Sequence, residues 1–78
     1  MTTKKETINV GTRVEFWHEG TRYRGSIVKL KLSKFDVIEW VEVKAEEQMT
    51  ENQESFTPFA GAIDIFAIGI FDSSLEVC

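Results

Sequence analysis

Between Gly11 and Leu32 the chain reads GTRVEFWHEGTRYRGSIVKLKL, and this stretch limits the possible folds more than any other. Two runs rich in β-branched and aromatic residues flank the polar tetrapeptide His18-Glu19-Gly20-Thr21, which predicts a β-hairpin. Glu19-Gly20 supplies the turn, with Gly20 suited to a positive φ. In the first run Val14, Phe16 and His18 alternate with Arg13, Glu15 and Trp17. The first set makes the better core face, which leaves Trp17 partly exposed. The return run places Tyr23, Gly25 and Ile27 inward and Arg22, Arg24 and Ser26 outward. After Ile27 the phase flips, because Val28, Leu30 and Leu32 are apolar while Lys29 and Lys31 are polar. A two-residue period cannot bury both sets on one face, so a bulge or sharp bend is expected between Gly25 and Val28.

Downstream, Ser33-Lys34 reads as a short connection to a third strand, Phe35 to Lys44. Its expected core face holds Phe35, Val37, Val41 and Val43 together with Glu39, and Trp40 lies on the opposite face. Ala45 to Thr57 is acidic and lacks apolar periodicity before Phe56, so it reads as a long acidic loop with one helical turn near Glu46 to Thr50. Pro58 and Gly61 punctuate its end. Ala60 to Phe71 is the most apolar part of the chain. Ile63, Ile65, Ala67, Gly69 and Phe71 share one face, and Ala62, Asp64, Phe66, Ile68 and Ile70 share the other. With both faces apolar, either a bulge near Phe66 to Gly69 switches them or the strand meets a partner chain. The expectation is an all-β fold of five or six antiparallel strands over residues 10–78, preceded by a flexible arm at residues 1–9.

At 78 residues the chain makes one small domain, and its 42% hydrophobic and 28% charged residues mark it as globular. Cys78 is the lone cysteine, which excludes an intrachain disulfide, and with His18 it cannot furnish a zinc set. No metal or cofactor is therefore expected, and stability must come from a tight core, from oligomerisation, or from both. The N-terminus lacks the apolar core of a secretory signal. The apolar run Ala60 to Phe71 is interrupted by Asp64 and too short to cross a bilayer as a helix. A soluble, cytoplasmic setting with no membrane partner is the expectation.

Catalysis finds no support in the sequence. No nucleophile can be placed near His18, Cys78 lacks surroundings that would activate it, and neither GxGxxG nor GxxxxGK[ST] occurs. The net charge of −4 divides unevenly. Residues 1–34 hold eight basic and three acidic side chains, and residues 35–78 one basic and ten acidic. Arg13, Arg22, Arg24, Lys29 and Lys31, interleaved with Trp17 and Tyr23, form a pattern suited to single-stranded nucleic acid. The same pattern is also that of a solvated strand face paired with glutamates, and the acidic pI of 4.9 favours the latter.

The order Gly11, Val14, Phe16, Gly20, Tyr23-Arg24-Gly25 and Ile27, followed by Val37-Ile38-Glu39-Trp40, resembles the Tudor and KOW type of SH3-like barrel. The resemblance spans Gly11 to Val43, under half of the chain, and implies a small SH3-like barrel. Tudor domains carry aromatic cages for methylated side chains and KOW domains bind RNA or ribosomal partners. A carried-over cage would nominate Trp17, Tyr23 and Trp40, but the Asp-Tyr-Gly turn that often completes it is absent. Residues and resemblance together point to a non-catalytic protein-interaction module, a small inhibitor or adaptor. Its expected partner-binding residues are Trp17, Arg22, Tyr23, Arg24, Trp40, Phe66, Ile68 and Ile70, with a homo-oligomer through Ile63 to Phe71 as a linked expectation. The alternatives are nucleic-acid binding through the basic and aromatic hairpin face, and a structural subunit of a larger assembly.

Overall fold

A computed structural model describes residues 8–78, and their regular structure is entirely β. The predicted hairpin is present as β1, Arg13–His18, and β2, Thr21–Leu32. Glu19 (φ 49°) and Gly20 (φ 82°) are both left-handed, the signature of a type I′ turn. That turn matches the right-handed twist of the two strands it joins, which run in uninterrupted register from His18↔Thr21 to Arg13↔Ser26.

Strand β3, Ile38–Thr50, pairs with the whole of β2. Here the expected boundaries need two corrections. Phe35 and Val37 were assigned to the core face of this strand, but they belong to the connection and are 75% and 56% exposed. Ser33 organises that connection: its Oγ accepts from the N–H groups of Phe35 and Val37, and its own N–H donates to the Val37 carbonyl. At the other end, Ala45 to Thr50 continue β3 where a loop and helical turn were expected, leaving Glu51 to Phe56 as the loop. The acidic residues there did not read as strand because their compensation comes from β1 and β2. Arg13 pairs with Glu46 and Arg24 with Glu47.

The phase flip in β2 has the expected cause. The ladder steps from Ile27↔Val43 to Lys29↔Glu42, so Val28 is the extra, exposed residue of a bulge. Ile27 and Leu30 thereby both turn toward the core. Two further shifts lie on β3, where Glu46 and Glu39 are the unmatched residues. The second brings Ile38 onto the core side with Val41 and Val43.

The sheet runs β4-β3-β2-β1-β6, with β4 at Thr57–Pro58 and β6 at Glu76–Val77. Strand β5, Ile65–Gly69, joins the β3 edge beside Trp40 to Lys44, while β4 occupies that edge at Glu47 and Gln48. The sheet curls around Val14, Phe16, Ile27, Val41, Val43, Ile68, Ile70 and Leu75, but β5 and β6 do not pair with each other, so the barrel stays open. Ile8 completes this core at 6% exposure and so belongs to the packed body, although it falls within the expected arm. The rest of that arm up to Thr7 lies outside the described residues. No described helix is long and apolar enough to cross a membrane.

Candidate functional site

The expected basic face is neutralised from within. Glu15 on β1 stands opposite Arg24 on β2 and Glu76 on β6. Its carboxylate accepts from Arg22 Nε at 2.6 Å and from Arg24 Nε at 3.1 Å. Arg22 continues to Glu76 at 3.0 Å and Arg24 to Glu47 at 3.2 Å. Arg13 reaches Glu46 at 2.8 Å and Glu47 at 3.5 Å. Burial alone would raise the Glu15 pKa, but the hydrogen bonds from Arg22 and Arg24 outweigh it and hold the carboxyl below its ordinary value. The guanidinium groups are also engaged by aromatics: Arg24 lies 3.9 Å from the Phe56 ring centroid and Arg22 5.8 Å from that of Trp17. Arg13, Arg22 and Arg24 thus act as clamps between strands, which leaves Lys29 and Lys31 of the expected nucleic-acid stripe.

Nor do the cage residues converge. Tyr23 pairs with Phe16 and packs on Phe66 and Phe59, at 4.7 and 5.8 Å between ring centroids. Trp17 is on the outer side of β1, 40% exposed. Trp40 pairs with Lys31, toward the opposite end of β2 from Arg22, the pairing partner of Trp17. Tyr23, Phe16, Phe59, Phe66 and the edge of His18 instead make a continuous aromatic cluster under the hairpin turn. Burial and the neighbouring Glu15 carboxylate, 3.5 Å from Sγ, push the Cys78 thiol up, away from the reactive thiolate.

Strand β5 resolves the two-faced apolar run without the bulge that was one of its expected solutions. It pairs with β3 in one register from Lys44↔Ile65 to Trp40↔Gly69. Ile68 and Ile70 are buried at 5% and 6%, so these two expected partner-binding residues are core, and Phe66 is half-buried in the aromatic cluster. The alternate face is the open one. Ile63 is 79%, Ile65 41% and Phe71 87% exposed, and Ala67 and Gly69 lie exposed between them. Trp40 stands beside Gly69 on this face, with open space above the glycine.

The backbone of β5 is open on the same residues. Ala45 N–H donates to the Asp64 carbonyl at 2.7 Å and Ile70 N–H to the Glu39 carbonyl at 3.1 Å. The even-numbered residues therefore direct their backbone groups at β3, and antiparallel alternation turns those of Ile65, Ala67 and Gly69 outward. The Gly69 carbonyl accepts from Asp72 N–H at 3.0 Å, while no strand among the described residues pairs with this edge at Ile65 or Ala67. Sequence reasoning had both faces of the strand in hand but selected the wrong one. The signal that separates them is the phase of pairing with β3. No protein-family model, curated protein or solved structure matches the chain.

Proposed function

We propose that the chain is a non-catalytic protein-interaction module on an SH3-like open barrel, a small adaptor or inhibitor that binds by strand addition at β5. One observation carries this reading: Ile65 and Ala67 present unpaired backbone groups at an edge whose outward side chains are apolar. An added strand gains its affinity from main-chain hydrogen bonds and its selectivity from alternate side chains. Here Ile63, Ile65, Phe71 and Trp40 line the outer face, with Ala67 and Gly69 leaving shallow room between them. Unprotected edges are ordinarily blunted by lysine, proline or a bulge, and Ile65 to Gly69 has none of these. The hairpin motif and the long, bulged β2–β3 pair support the SH3-like assignment.

The test is hydrogen exchange on the partner complex captured from source-cell lysate. The amides of Ile65 and Ala67 should become protected on binding, and Ala67→Lys should abolish capture without shifting the thermal midpoint. A complex that forms while both amides continue to exchange as in the free chain would overturn the reading.

A further inference from the structure

We infer that the partner strand at β5 is a second copy of this chain, paired antiparallel about a two-fold axis at Ala67. This rests on the reading of β5 as the docking edge and adds the identity of the occupant. Ala67 directs its N–H and C=O to that edge, so Ala67 can oppose Ala67 of the second copy as a hydrogen-bonded pair. The same register sets Ile65 against Gly69 and Ile63 against Phe71, each contact occurring twice, as an isologous interface requires.

Shape and charge both favour a second copy in this register. Gly69 has open space where a side chain would stand, and Trp40 flanks it. Ile65 of the other copy fills that gap and covers the exposed side of the indole, while Ala67 against Ala67 keeps the centre of the seam free of clashes. The chain carries a net charge of −4, so two copies repel wherever acidic surfaces meet. Ile65 to Phe71 contains no charged residue, so pairing the strand with itself opposes no like charges along its length. A short seam of this kind lies at the small end of specific interfaces, so the dimer is concentration-dependent.

The experiment uses the full chain with Cys78→Ser, so that introduced cysteines are the only thiols. Sedimentation across a wide concentration range should report a monomer–dimer equilibrium, with the amides of Ile65 and Ala67 gaining protection as dimer forms. Opposed residues of a hydrogen-bonded antiparallel pair stand about 5.5 Å apart at Cα, within disulfide range. Ala67→Cys should therefore give a linked dimer on oxidation with diamide. Ile65→Cys and Gly69→Cys chains should link when mixed and not when oxidised separately. Ala67→Lys places two like charges at the axis and should weaken dimerisation on the order of a hundredfold.

A dimer that forms without linkage at Ala67, or without protection at Ile65 and Ala67, overturns the proposal. So does a monomer at every concentration. A synthetic strand of alternating valine and threonine then tells the two readings apart. Protection of Ile65 and Ala67 by that peptide leaves strand addition standing with a different occupant, and its failure to protect them removes both readings.

Discussion

At Gly25 the fold leaves no room for a side chain. The residue is buried opposite Ala45, next to the bulge at Glu46, and a Cβ there would lie 2.0 Å from the Lys44 carbonyl oxygen. The neighbour is backbone, which cannot swing aside, so Gly25→Ala must push β2 and β3 apart. The expected cost is about 1–3 kcal/mol, typical of overpacking, read from the urea midpoint. Glu19 shows the opposite case. Its φ of 49° is left-handed, a conformation glutamate adopts at a cost and asparagine tolerates at this position of a type I′ turn. Glu19→Asn should raise stability by roughly 0.5 kcal/mol, part of the 1–2 kcal/mol that left-handed backbone costs an ordinary residue. The His18–Glu19 ion pair lost in the exchange is solvent-exposed, so it offsets little.

Between elements, Glu15 and its arginines decide how the short terminal strand is held. Glu15 and Glu76 face each other across β1 and β6, and Arg22 sits between them at 2.6 and 3.0 Å. With the folded pKa of Glu15 held below its unfolded value of about 4.3, this contribution to stability is complete above that value and is lost as pH falls through the lower, folded pKa. Glu15→Gln should therefore narrow the stability gap between pH 7 and pH 3, measured by urea titration at each pH. A wild-type gap that persists unchanged in the variant would place the acid sensitivity elsewhere. The same cluster explains what the sequence concealed. Alternation around Val14 and Phe16 and the Glu19-Gly20 pair made the hairpin legible, and the parity change after Ile27 located the bulge at Val28. These are local signals. The second half of β3 was not legible, because its glutamates are neutralised by Arg13 and Arg24 from distant positions. The open face of β5 was concealed for a related reason. Alternation divides Ile63, Ile65 and Phe71 from Ile68 and Ile70, but only pairing with β3 decides which set is buried.

For the whole molecule, the division of charge governs association rather than folding. The acidic excess of the C-terminal half is partly cancelled where β3 meets β1 and β2, yet the chain as a whole keeps −4. Two such chains approaching through an uncharged seam gain main-chain hydrogen bonds and apolar contact at β5 and are opposed by repulsion between the bodies behind it. Salt screens that repulsion over about 8–10 Å at ordinary ionic strength and leaves the apolar seam largely untouched. Dimerisation should therefore tighten as sodium chloride rises from 20 to about 300 mM, an expected severalfold drop in the dissociation constant measured by sedimentation. The sign is diagnostic. A module that used Lys29, Lys31 and the arginines to hold nucleic acid would weaken steeply over the same range, because each phosphate contact releases counterions. Salt-tightened self-association and salt-weakened nucleic-acid binding thus pull in opposite directions, and one titration read by sedimentation with and without a single-stranded oligonucleotide separates them.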